Sequence, residues 1–162
     1  MKKTISFSYN SYNSSAEMPD SDQLLIAQAE QSLKKAYAIY SGFQVGASVL
    51  LANGKMMSAN NQENMAFPSS LCAERVLMYY CKANFPELEI KKIAVTVKSV
   101  HGNISEPISP CGSCRQVMLE YEQNQKNKIE VLLKADQGKV YELESIKDLL
   151  PLSFKTDVLK RY

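Results

Sequence analysis

Two short segments constrain this chain more than any other part of it: Cys72-Ala73-Glu74-Arg75 and Pro110-Cys111-Gly112-Ser113-Cys114-Arg115-Gln116. Each follows a stretch rich in turn formers and opens a run of good helix formers, Cys72–Ala83 and Cys111–Gln123. Each therefore puts cysteine at a helix start. Cys111 and Cys114 are three residues apart, so on a first helical turn both sulfurs face one point. A helix N-terminus favours anions and lowers thiol pKa values, which suits the thiolates that a metal needs. A fold that brings the two helix starts together gathers Cys72, Cys111 and Cys114 around one tetrahedral zinc, Zn2+, one per chain. Three protein ligands leave the fourth position for water, the pattern of a catalytic site rather than a structural one.

A structural four-cysteine site would have to recruit Cys81 as well. Cys72 and Cys81 are nine residues apart, about 13 Å along a helix. Both would need to lie about 2.3 Å from the same ion. A continuous helix excludes that, and Cys81 then reads as a small apolar core residue. Three unrelated buried cysteines remain the plain alternative. A lone C-x-x-C is a weak signal, and it is the pairing of two such segments that argues for a metal.

Glu74 stands two residues past the first cysteine, on the same turn. There it can approach a metal-bound water without binding the metal. Zinc can lower the pKa of such a water from about 15.7 to near 7, and a neighbouring carboxylate can take the proton and pass it to a substrate. Away from a metal site, a lone glutamate is normally a solvated helix residue. Three thiolates on one Zn2+ leave a charge of 2 − 3 = −1, which makes the water less acidic. Arg75 is placed to offset that charge by donating toward the thiolates, helped by the helix N-termini. Arg115 and Gln116 read as structural.

The rest of the chain reads as one α/β domain. Length, 162 residues, fits a single core, and 45% hydrophobic with 22% charged residues is ordinary globular composition. The net charge of +2 comes with scattered lysines and arginines and no basic stripe, so a nucleic-acid partner is not expected. No apolar run is long enough to span a membrane, and no signal-like stretch follows Met1, so a cytoplasmic setting is expected. Residues 1–19 form a polar arm, read as mobile, although Ile5, Phe7 and Tyr9 alternate as an edge strand would. The catalytic domain is placed at 20–162. Asp20 or Ser21 caps a helix reaching about Tyr40. Strands follow at Phe43–Ala52 and Lys55–Asn60 around the Asn53-Gly54 turn. After the first cysteine helix come a strand at Ile90–Val97, a loop to Pro110 and the second cysteine helix. A terminal hairpin, Ile129–Lys134 and Val140–Leu143, precedes short helices at Ser145–Leu150 and in the last few residues. This order suggests an α/β sandwich with a mixed sheet. The lone His101 reads as a surface residue.

From about residue 20 to Phe154 the chain resembles the small cytidine deaminase family. Its zinc segments fit the three-cysteine form of the zinc-deaminase signature. Tyr40-Ser-Gly-Phe-Gln-Val-Gly-Ala47 resembles the family's first-strand motif, Asn61-Gln62-Glu63-Asn64 its N-x-E-N loop, and Leu149-Leu-Pro-Leu-Ser-Phe154 its closing motif. The resemblance implies a three-layer α/β/α sandwich around a five-stranded mixed sheet, with the C-terminal strands as an antiparallel hairpin. It implies hydrolytic deamination of free cytidine or deoxycytidine to uridine or deoxyuridine and ammonia, in pyrimidine salvage. Zinc-bound hydroxide would attack C4, with Glu74 as the proton shuttle. Asn61 and Glu63 would bind the ribose 3′-hydroxyl, Phe43 would pack on the pyrimidine ring, and the Ala73 backbone would hold its 2-oxygen. Phe154 of a neighbouring subunit would close the pocket of a homotetramer. Ala59, Gln62 and Phe67 depart from the usual pattern of Gly, an apolar residue and Tyr.

Three other readings compete. A deaminase of a modified or antibiotic aminonucleoside would not be expected to keep Glu63. A polynucleotide deaminase would want a basic track. A zinc fold with no activity would leave Glu74 and the open fourth position without a purpose.

Overall fold

The structure, a computed structural model, describes residues 1–154. The apolar run after Ser41-Gly42 becomes β2 (Phe43–Leu51), and Asn53-Gly54 returns the chain as β3 (Met56–Asn60). Before them stand β1 (Asn10–Tyr12) and α1 (Asp20–Leu33). After them come α2 (Ala73–Asn84), β4 (Ile90–Ser99), α3 (Gly112–Gln123), β5 (Glu130–Lys134) and β6 (Val140–Leu143). The strand order is β1-β6-β5-β4-β2-β3. The pairings are antiparallel except β4 with β5. That parallel pair is possible because α3 supplies the crossover a parallel connection needs.

Successive residues of a strand face opposite ways, and the apolar residues here divide accordingly. Ala47, Val49 and Leu51 of β2, with Ile93 and Val95 of β4, pack against Leu77 and Met78 of α2 and Met118 of α3. Ala94 of β4, Leu132 of β5 and Val140 of β6 pack instead against Leu25, Ile26 and Ala29 of α1. Burial of consecutive residues explains why β2 and β5 read as nearly continuous apolar runs.

α1 lies unusually close to β2. A side chain at Gly46 would run into the Ala29 carbonyl oxygen and the Leu33 side chain. Polar ties hold α1 to β2 and β3: Ser48 Oγ donates to Leu25 O at 2.6 Å, Ser32 Oγ to Ala59 O at 2.7 Å, and Asn60 Nδ2 to Ser32 O at 2.9 Å.

Four expectations need correction. The sheet has six strands among the described residues, not five. The extra one is β1, from the arm, which pairs with β6 through Asn10↔Glu142, Ser11↔Tyr141 and Tyr12↔Val140. An edge strand with only Tyr12 half-buried leaves no apolar run to read. α1 ends at Leu33 rather than near Tyr40, because Tyr37 is drawn into bonds with the loop after β3: Tyr37 N to Asn61 O at 3.0 Å and Glu63 N to Tyr37 O at 2.8 Å. Pro19, not Asp20 or Ser21, is the N-cap, without a side-chain cap bond. The short helix near Ser145 is a 3-10 turn, Ile146–Leu149, and the one expected in the last few residues lies outside the described residues.

Candidate active site

Packing of α2 against α3 brings their N-termini together. Cys72 is the N-cap of α2, Cys111 the N-cap of α3, and Cys114 sits in the first turn of α3. The Cys72 and Cys111 sulfurs are 3.9 Å apart, those of Cys111 and Cys114 are 3.5 Å apart, and all three lie within 4.8 Å of one another. Thiolates about 2.3 Å from a tetrahedral zinc would be about 3.8 Å apart. The donor set therefore fits zinc in both chemistry and spacing. Cys81 stands apart: its sulfur is fully buried, 3.7 Å from Met57 Sδ, and burial raises its pKa to about 11.

Two of the thiols, Cys72 and Cys114, are pushed in opposite directions. Cys72 is lowered to about 5, first by the neighbouring Cys114 thiol and then by Arg75, which donates to its sulfur. Cys114 is pushed up, by its neighbour Cys72 first and then by burial. Arg75 Nη2 reaches Cys72 Sγ at 3.9 Å and Ser70 O at 3.4 Å, the position expected of a group that offsets thiolate charge.

Glu74 is only 4% exposed, and burial raises its pKa to about 7. Its Oε2 is buried and has no hydrogen-bond partner among the described residues, as is true of Arg75 Nε. Buried polar atoms are seldom left unpaired, and an orphan beside three sulfurs marks a place for a bound group.

A cavity of about 520 Å³ opens over this cluster, lined by Phe43, Asn61, Glu63, Cys72, Glu74 and Cys111 among others. Phe67 lines it too, edge-on to Tyr40 at 5.8 Å between ring centres. Ala73 is buried at the first position of α2, so its N–H belongs to the turn that has no intrahelical acceptor. Phe154 lies outside this cavity. It is largely exposed, and its carbonyl accepts from Gln116 Nε2 at 3.2 Å. Arg115 ties Pro110 O (2.6 Å) to Leu149 O (2.9 Å), a structural use as expected.

Two features were not legible in the sequence. Asn61 spends its side chain on β2: Oδ1 accepts from Val45 N at 2.8 Å, and Nδ2 donates to Phe43 O at 2.9 Å. Ser41 and His101 also belong to the site's frame. Ser41 bonds to Glu63, and His101 Nε2 lies 3.2 Å from Ser41 O. The one hint was that Ser41 falls within the Tyr40–Ala47 motif.

Fold and site define a class: a mixed-sheet α/β protein whose paired helix N-termini form a three-sulfur metal site beside a buried, unpartnered carboxylate. The sequence pattern of the cytidine and deoxycytidylate deaminase zinc-binding region matches residues 19–128. The chain is 35% identical over 135 residues to the cytidine deaminase of Halalkalibacterium halodurans, covering 83% of this chain and 95% of that protein. It is 33% identical to that of Mycoplasma genitalium, covering 81% and 93%. It superposes on the crystal structure of cytidine deaminase from Burkholderia pseudomallei with a TM-score of 0.71 at 37% identity, over 85% of this chain and 100% of that one. The chain belongs to the cytidine and deoxycytidylate deaminase zinc-binding family.

Proposed function

We infer that this chain is a zinc-dependent cytidine deaminase, converting cytidine or deoxycytidine and water to uridine or deoxyuridine and ammonia. The observation that carries the reading is the buried Glu74 carboxylate, with Oε2 unpartnered among the described residues beside the Cys72–Cys111–Cys114 cluster. Zinc held by Cys72, Cys111 and Cys114 would supply Lewis acidity, enough to bring the pKa of a water near neutrality. Glu74, buried beside the three sulfurs with Oε2 unpartnered among the described residues, is suited to take that water's proton and return it. It delivers one proton to ring N3 as the oxygen bonds to C4. It then moves the second to the exocyclic amine, so the C4–N bond breaks with ammonia as leaving group. Arg75 and the two helix N-termini offset the negative charge of the thiolates.

The substrate contacts are read from the family resemblance, and the placing of Phe43, Asn61 and Glu63 along the cavity wall supports them. Phe43 packs on the pyrimidine, the Ala73 N–H donates to its 2-oxygen, and Glu63 accepts from the ribose 3′-hydroxyl. Asn61 joins with the remaining N–H of Nδ2. A carboxylate there would repel a 3′-phosphate, which favours free nucleosides over polynucleotides. Phe154 is assigned to the pocket of a neighbouring copy in a homotetramer, in keeping with its exposure. The catalytic domain is read as 20–162 and the arm as 1–19, in a three-layer sandwich with α1 on one side and α2 and α3 on the other. Pyrimidine salvage in the cytoplasm is the setting we assign. No helix among the described residues is long and apolar enough to cross a membrane.

The test is the fall in ultraviolet absorbance of cytidine, with zinc content measured alongside. Wild type should hold one zinc per chain and turn over. Glu74→Gln should keep its zinc and lose at least ~100-fold in kcat. Full activity in that variant would overturn the mechanism. A zinc-loaded wild type inert toward cytidine would point to modified aminonucleosides instead.

A further inference from the structure

Glu63 is held by the turn that precedes β2. A carboxylate offers about four acceptor positions, and three of Glu63's are occupied. Ser41 Oγ donates to Oε1 at 2.5 Å, while Tyr40 N and Ser41 N donate to Oε2 at 2.8 and 3.3 Å. The Ser41 hydroxyl also accepts from Phe43 N at 3.0 Å. Its single proton is therefore aimed at Glu63, because its own lone pair faces the Phe43 amide. One hydroxyl thus joins the residue read as packing on the base to the residue read as binding the sugar.

The turn itself is braced. Gly42 has φ of 64°, a left-handed conformation that suits glycine, and a side chain there would collide with Val100 and His101. Gly42 N donates to Ala38 O at 2.9 Å, and Val100 N to Gly42 O at 3.0 Å. On the other side, Glu63 N is fixed to Tyr37 O at 2.8 Å. Two braced segments meet through the Ser41–Glu63 contact. That contact is also the leading reason the Glu63 carboxyl sits below the usual glutamate range.

We propose that Ser41 is a positioning residue for sugar recognition, holding the Glu63 carboxylate so that the free acceptor position on Oε1 faces the 3′-hydroxyl of a nucleoside whose base lies on Phe43. The inference rests on reading Glu63 as the ribose contact. Oε2 already takes two donors, so the site reads one sugar hydroxyl through this carboxylate, and Ser41 sets where that acceptor points.

The experiment compares wild type, Ser41→Ala and Ser41→Thr on cytidine and on 3′-deoxycytidine, with zinc content and Tm measured for each. Wild type should prefer cytidine to 3′-deoxycytidine. Ser41→Ala should raise KM for cytidine about tenfold, the effect of one hydrogen bond to a charged group, with kcat within about twofold. On 3′-deoxycytidine the same variant should match wild type, and Ser41→Thr, which keeps the hydroxyl, should recover most of the cytidine loss. Equal losses on both substrates would make Ser41 merely structural, and an unchanged KM in a wild type that does discriminate would remove its role altogether; either overturns the proposal. A wild type that treats both substrates alike would overturn the reading of Glu63, and the proposal with it. That outcome is visible before any variant is made.

Discussion

Asn61 follows the last residue of β3, and its amide group stands where the next ladder bonds with β2 would fall. Its own N–H continues the ladder to Val45 O at 3.1 Å. Replacing it with alanine leaves the Val45 N–H and the Phe43 carbonyl without partners, at about 1–3 kcal/mol. Asn61→Ala should therefore lower Tm by roughly 2–12 °C, at ~2–4 °C per kcal/mol, and weaken cytidine binding through a loosened Phe43. Glu63→Ala is a different case. Its carboxylate is held by donors on exposed residues, and those donors can turn to water. It should raise KM while Tm stays within ~2 °C. Thermal melts and steady-state kinetics on the two variants separate the duties; equal Tm losses would show that Asn61 is not a structural clamp. The sequence could place Asn61 near the sugar by motif, but not show where its amide group is spent. That depends on β3 ending one residue earlier, against β2.

Among the elements, the contact of α1 with β2 is the tightest dependence on a single position. Gly46 is buried, and the atoms that would meet an added side chain are the Ala29 carbonyl and Leu33, which belong to a continuous helix and cannot simply rotate away. Gly46→Ala should force α1 off the sheet and destabilise by about 1–3 kcal/mol. A clear drop in Tm with zinc still bound one per chain would show it, and an unchanged Tm would mean that the helix shifts freely. Elements whose bounds depend on local signals were legible: α2, α3 and the β5–β6 hairpin follow from their helix formers, breakers and alternation. The cysteine triad was legible for the same reason, since helix starts fix the direction of their first residues. The end of α1 was not. Residues 34–40 carry no breaker before Gly42, and what stops the helix is the pairing of Tyr37 with the distant loop at Asn61–Glu63. Such a long-range competition leaves no mark in a local window.

For the molecule as a whole, the arm closes the sheet edge farthest from β3. β1 supplies backbone partners to β6, and its Asn10 and Tyr12 side chains both donate to Glu142 Oε2, at 3.1 and 2.8 Å. Glu142 is one of three carboxylates around Lys92, with Asp22 at 2.8 Å, Glu130 at 2.7 Å and Glu142 itself at 3.7 Å. Three acids and one ammonium leave an excess of negative charge, and the two neutral donors from the arm relieve it. Deleting residues 1–13 should lower Tm and, by baring the β6 edge, promote self-association visible by size-exclusion chromatography. Turnover of cytidine should stay within about twofold, because the cysteines, Glu74 and Glu63 lie on other elements. The acid response gives a sharper test. Burial alone would raise the Glu142 pKa, but Asn10, Tyr12 and Lys92 outweigh it and hold the group below the ordinary glutamate range. A group lowered in this way stabilises the fold above its unfolded pKa, and that stability is lost as pH falls through the lowered, folded value. The truncated chain lacks Asn10 and Tyr12, so the stability gap between the two chains should be full near pH 7. On acidification it should narrow to what the β1–β6 backbone ladder supplies. Loss of zinc in acid affects both chains alike and cancels in the difference. Denaturant melts of both chains between pH 7 and 3.5 measure that gap; one that stays constant or widens would show that Glu142 is not what the arm stabilises.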